Sequence, residues 1–162
     1  MLYIDVMYKI YLDLDQVLGD FDSRFIQLSN GVTPKEYESK YGIAEFWKLI
    51  DNEGVSFWVG IPFWEEGKKL FQYTKKYKPL VLSAPSRHYT SRFGKKVWMK
   101  QWLPNTPLIL CPAIEKQKYA DPNSILIDDN SGNIERWRAA NGIGILFTST
   151  DQAIKELKKL KL

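Results

Sequence analysis

Five short apolar runs, helix-compatible stretches between them, and acids or serines directly after three of those runs predict an α/β fold. The expected architecture is a Rossmann-like three-layer core with a parallel sheet, plus a small helical cap inserted after the first strand. Short runs that are apolar throughout, with no polar alternation, belong to strands buried on both faces. That needs a parallel sheet covered by helices.

Residues 8–13 read as the first strand, and Asp13-Leu14-Asp15 closes it. Val17 to Ser29 is helix-compatible, with Val17, Phe21, Phe25 and Leu28 at helical spacing, and Asn30-Gly31 stops it. Thr33 then serves as N-cap of another helix, with Pro34 in its first turn and Glu36 as the reciprocal side chain. From there to Tyr77 no strand–helix rhythm is visible. Aromatics crowd this region, and Gly54, Gly60, Pro62 and Gly67 break it. The division that follows is a core domain of residues 1–30 and 78–162 and a helical cap of residues 31–77.

After Pro79 the rhythm is regular. Leu80-Val81-Leu82 makes the second strand and ends in Ser83-Ala84-Pro85-Ser86. A helix over 91–103 places Phe93, Val97, Trp98 and Trp102 on one side and ends at Pro104. Leu108-Ile109-Leu110 is the third strand, and Ile125-Leu126-Ile127 the fourth, closing on Asp128-Asp129. A helix through Ile134, Trp137 and Ala140 ends at Gly142, and Ile143 to Phe147 is the fifth strand. A Ser149/Gln152 capping box starts the last helix, which buries Ile154, Leu157 and Leu160.

Composition narrows the chemistry. With 162 residues, 44% hydrophobic and 26% charged, the chain suits one ordinary globular unit. A net charge of +4 favours anionic partners but is too small to imply nucleic-acid binding; lysines on solvated helix faces explain it equally well. The single cysteine, Cys111, excludes an internal disulfide and, ending an apolar strand, reads as inert. One cysteine and one histidine, His88, cannot build a Cys/His zinc site within one chain. A metal here needs oxygen ligands, which points to magnesium or a similar hard ion. With no leader and no apolar span, a cytoplasmic protein without a membrane partner is expected.

Three polar clusters fall at carboxyl ends of expected parallel strands: Asp13/Asp15, Ser83/Ser86 and Asp128/Asp129. Each alone reads most simply as a turn or helix cap. Together they occupy the edge where open α/β sheets bind ligands. Four carboxylates crowded there cannot all stay ionised without a cation. Magnesium resolves this, with a substrate phosphate completing its shell, and the set suits phosphoryl transfer. Two decoys fail on spacing. Gly94-Lys95-Lys96 lacks the first glycine of a phosphate loop, and no Gly-x-Ser-x-Gly turn surrounds Ser83 or Ser86 to make a serine–histidine hydrolase with His88.

Asp13-Leu14-Asp15-Gln16-Val17, Leu80-Val81-Leu82-Ser83 and Ile125-Leu126-Ile127-Asp128-Asp129 resemble, in order, the first, second and fourth motifs of the haloacid dehalogenase-like phosphohydrolases. The nearest resemblance is to the 5′(3′)-deoxyribonucleotidase branch, and it runs from Tyr8 to about Ser149, loosely across the cap. For the lysine of the third motif Lys118 fits best, with Lys116, Lys95 and Lys96 as alternatives.

The resemblance implies roles. Asp13 is nucleophile and metal ligand. Asp15 is general acid, then base, with its backbone carbonyl facing the metal. Ser83, with Ala84 beside it, binds phosphoryl oxygens. Lys118 offsets charge on an aspartyl-phosphate, and Asp128 or Asp129 completes the metal site. Phe21 stacks on a nucleobase; Trp47 and Trp58, beside Phe46 and Phe57, either close over it or fill the cap's own core. The implied activity is a magnesium-dependent phosphomonoesterase acting on (deoxy)nucleoside monophosphates. A polynucleotide 3′-phosphatase, suggested by the basic stretch from Arg87 to Lys100, or another small-molecule phosphatase are the alternatives. A non-catalytic phosphate-binding protein is the remaining reading, and Asp15, which binding alone does not need, argues against it.

Overall fold

The computed structural model describes residues 7–162. Its centre is β1 (Lys9–Leu12), flanked by β2 (Leu80–Ser83) and β4 (Ser124–Asp128), with β3 (Leu108–Leu110) and β5 (Ile143–Leu146) at the edges. Every pairing is parallel, in the order β3-β2-β1-β4-β5. Side chains alternate between two apolar layers, as the pleat demands. Ile10 and Leu12 face the larger core, and Tyr11 faces a smaller one with Leu82, Leu126, Ile134 and Trp137. Leu12 lies opposite both Val81 and Ile127, so the residues that follow each strand emerge along one edge. The chain first moves from β1 to β2 and β3, then returns to β4 on the other side of β1. That reversal opens a crevice at the carboxyl ends of β1 and β4.

Helices α1 (Phe21–Leu28), α2 (Pro34–Tyr41), α3 (Ile43–Glu53), α4 (Val55–Val59) and α5 (Glu65–Thr74) fill the connection from β1 to β2. Then come α6 (Tyr89–Trp102), α7 (Ser131–Ala139) and α8 (Thr150–Lys159). The capping box at Thr33 is present, with the Glu36 amide donating to Thr33 Oγ1 (3.3 Å) and the Thr33 amide to Glu36 Oε2 (3.1 Å). No helix among the described residues is long and apolar enough to cross a membrane.

Three local expectations shift. The first helix starts at Phe21, not Val17, because the Leu14 carbonyl accepts from the amides of Leu18 and Gly19 in a tight turn, with Gln16 left-handed (φ 59°). Val17 is buried all the same, so its spacing with Phe21 and Phe25 reported burial rather than helix. In α6 the buried stripe runs through Ser91, Gly94, Lys95, Trp98 and Met99, leaving Phe93 and Trp102 exposed. At the end of α7, Asn141 takes the left-handed conformation (φ 67°), while Gly142 lies against Trp137, whose Nε1 would sit 2.2 Å from an added Cβ.

The stripe on α6 is small at Gly94 because α4 lies directly on it there. A Cβ on Gly94 would stand 2.4 Å from Trp58 Cβ. Gly94→Val is expected to destabilise the fold by about 1–3 kcal/mol through overpacking. A lowered midpoint in urea with an unchanged slope is the check.

Candidate active site

Asp13 directly follows β1, and its backbone N–H donates to the Ile127 carbonyl of β4 (2.9 Å), which fixes its height at the sheet edge. Its Oδ1 accepts from the Leu14 amide (2.8 Å) and from Lys116 Nζ (3.0 Å). Asp128 ends β4 and is completely buried. Its Oδ2 accepts from the same Lys116 Nζ (2.7 Å) and from Asn133 Nδ2 (3.0 Å), and its Oδ1 from the Asn130 amide (2.9 Å). Lys116 is therefore clamped between the carboxylates of two adjacent strands. Burial works against its charge, but Asp13 and Asp128 outweigh burial and hold the ammonium above the ordinary lysine range.

The lysine expected from sequence, Lys118, is not there. It is exposed and pairs with Glu115 (3.2 Å). Both lysines lie in a 3₁₀ helix, Ala113–Tyr119. With about three residues per turn, a step of two from Lys116 leaves the inward face.

Carboxylate oxygens of Asp13, Asp128 and Asp129 lie within 4.8 Å of one another and could hold a metal ion. Burial first, then the charge of Asp13, raises the Asp128 carboxyl. Asp129 is pushed up to about 8 by the desolvating surroundings and by Asp13 and Asp128. Since Asp129 keeps an exposed face at the crevice mouth, the crowding of like charge counts for more than depth. An oxygen-liganded cation answers that crowding.

The sign follows from proton binding. A carboxyl whose folded pKa is raised binds more protons folded than unfolded, so the metal-free protein loses stability as pH climbs from about 4 towards 8. Metal ligation needs the ionised form, so stabilisation by magnesium should grow over the same rise. Thermal melts at pH 6 and pH 9, with and without magnesium, test this; Asp129→Asn should flatten the difference.

A second charged pair stands beside the first. Lys95 Nζ donates to Asp15 Oδ2 (2.6 Å) and to Ser83 Oγ (2.7 Å), and lies 5.2 Å from the centroid of the Trp58 ring. Asp15 Oδ1 is buried with no hydrogen-bond partner. The signal for Lys95 was its place on the helical stripe with Trp98, which marks a buried lysine and hence a paired one.

The crevice has a volume of about 450 Å³ and is bordered by Asp13, Asp15, Lys116 and Asp129, with Phe21, Phe46, Trp47, Ala84 and Asn133 among its other walls. Phe21, Trp47 and Ala84 line it. Ser83 is wholly buried under Lys95. Trp58, expected as a substrate contact, is core: it packs on Phe21, Phe57 and Gly94, because the close approach of α6 leaves it no opening. Asn133 was missed; one helical turn past its N-cap Asn130, it shares a buried face with Ile134 and Trp137.

No family model matches the chain, and no curated protein does either. Solved structures do. A hydrolase from Streptococcus pneumoniae TIGR4 aligns with TM-score 0.59 at 15% identity, covering 94% of this chain and 99% of its own. A protein described as a haloacid dehalogenase-like hydrolase, from Bacteroides fragilis, aligns with TM-score 0.53 at 16% identity over 85% of this chain and 86% of its own. A phosphonoacetaldehyde hydrolase-like protein from Oleispira antarctica aligns with TM-score 0.50 at 13% identity over 85% and 71%. At such identities the likeness is one of fold. This chain has the parallel Rossmann-like α/β fold found in these hydrolases, with its acids at that fold's ligand edge.

Proposed function

We propose that the protein is a magnesium-dependent phosphomonoesterase of the haloacid dehalogenase-like kind, acting on (deoxy)nucleoside monophosphates. The carrying observation is the pair of lysine-clamped carboxylates, Asp13 on Lys116 and Asp15 on Lys95, two residues apart at the mouth of one crevice. Asp13, Asp128 and Asp129 would hold the ion, which when bound offsets charge on the phosphoryl oxygens.

Asp13 Oδ1 is occupied by the Leu14 amide and Lys116, which turns the other oxygen towards phosphorus. That oxygen forms the new bond to phosphorus as the bond to the leaving oxygen breaks. Asp15 gives the leaving oxygen its proton, then takes one from the water that releases phosphate from Asp13. Its Oδ2 is held by Lys95, and its Oδ1 has no hydrogen-bond partner. Lys116 keeps charge near Asp13 compensated throughout. The helices α2 to α4 act as a cap, bringing Phe46 and Trp47 over the crevice beside Phe21. Flat aromatic walls suit a nucleobase, whose stacking contributes roughly 1–3 kcal/mol.

A panel of nucleoside monophosphates, sugar phosphates and 3′-phosphorylated oligonucleotides, assayed for phosphate release with and without magnesium, tests this. Magnesium-dependent release that favours mononucleotides is expected. Silence across the panel would overturn the reading.

A further inference from the structure

Charge is spread unevenly along this chain. No aspartate or glutamate occurs from residue 67 to residue 114, yet that stretch carries ten of the 23 lysines and arginines. All 19 acids lie elsewhere, so the small net charge conceals a segment of one sign. Three of its cations have partners: Lys68 and Lys69 pair with Glu65 and Glu66, and Lys95 with Asp15. Arg92, Lys96 and Lys100 make no ion pair among the described residues.

These three cations stand four residues apart on α6, and Tyr89 and Phe93 join them on the same face at intervals of three and four. All five side chains are exposed. Tyr89 and Phe93 are the two most exposed aromatic side chains among the described residues, at 73% and 59%. Burial on α6 falls on Thr90, Ser91, Gly94, Lys95, Trp98 and Met99, so the core uses the opposite face. A lone exposed aromatic is ordinary. Two of them one turn apart, set among unpaired cations, form a surface with a chemistry of its own. The helix has 14 residues, so the row extends over about 20 Å.

We propose that the outward face of α6 binds single-stranded nucleic acid, as a function separate from the crevice and independent of the reading above. Cations one turn apart meet successive phosphates. Flat exposed rings beside them stack on unpaired bases, whose faces a duplex keeps covered. The combination sets this ligand apart from other anions. An acidic peptide would engage the cations and leave both rings without a partner. An anionic lipid surface calls for a helix divided into a charged side and an apolar side. Here the rings and cations share one side, and the apolar side is already packed into the core.

The test is fluorescence anisotropy of a labelled oligothymidylate of about a dozen residues without terminal phosphates, in EDTA so that the crevice does no chemistry. Binding should weaken with salt, with a log–log slope near −2, since each of three neutralised phosphates contributes about −0.7. Arg92→Ala combined with Lys100→Ala should bring that slope to about −0.7. Phe93→Ala should weaken binding by at least about fivefold and leave the slope unchanged. These side chains are exposed, so both variants should keep the wild-type melting point. Absence of binding at 50 mM salt overturns the assignment. So does binding that neither variant weakens, or that a duplex of the same length, polyglutamate or anionic lipid vesicles match.

Discussion

Asp13→Asn should reduce phosphate release by roughly four orders of magnitude or more while the protein stays folded. An amide has no anionic oxygen to attack phosphorus. Its carbonyl oxygen can still accept from the Leu14 amide and Lys116, the two partners that now hold Oδ1, so the local scaffold survives. Removing one negative charge also eases the crowding that raises Asp128 and Asp129. Phosphate release, read beside far-ultraviolet circular dichroism and a thermal melt, decides the matter. A folded variant that keeps wild-type turnover would remove Asp13 as the nucleophile and the proposed mechanism with it.

Lys116→Met should cost stability on a scale that few single substitutions reach. The side chain is buried, and without its charge the carboxylates of Asp13 and Asp128 face each other inside the protein. Breaking a buried pair by removing one partner costs about 3–5 kcal/mol. For a chain of this size that corresponds to a melting point lower by on the order of 10 °C. Magnesium should restore part of the loss, since a cation replaces the missing charge. Lys118→Met is the internal control: its pair with Glu115 is exposed and should be worth about 0–1 kcal/mol. Denaturant unfolding of both variants near neutral pH, with and without magnesium, separates them. Matching losses would contradict the clamped geometry.

Much of this was legible in the residues, and the reasons differ from place to place. The strands were plain because a strand buried on both faces has to be apolar throughout, which made the acids after Leu12 and Ile127 conspicuous. Lys116 and Lys118 could not be told apart in the same way. Their inward and outward faces are set by a 3₁₀ helix, which carries no apolar stripe long enough to read. Val17 shared the helical spacing of Phe21, Phe25 and Leu28 without belonging to their helix, because it lies in the turn around the Leu14 carbonyl. Trp47 and Trp58 are alike in sequence, and only tertiary packing separates them. One faces the crevice, and the other is pinned where Gly94 lets α6 approach. The link from Lys95 to Asp15 joins residues far apart in the chain and leaves no local pattern beyond a lysine on an apolar stripe.

The central position of β1 also bears on how the protein is made. As the earliest strand of this sheet to be synthesised, β1 finds one neighbour only when residues 80–81 arrive and the other only when residues 124–127 do. Until then its apolar residues and unpaired backbone stand exposed, which is the condition for misassociation of nascent chains. The acids at its end remain unassembled through the same interval. Synthesis therefore sets an order in which the centre of the sheet closes late and the clustered carboxylates meet only when β4 arrives. A chain truncated before β4 would have an open-edged sheet and no site, and such fragments are expected to aggregate or be degraded rather than to act as partial enzymes.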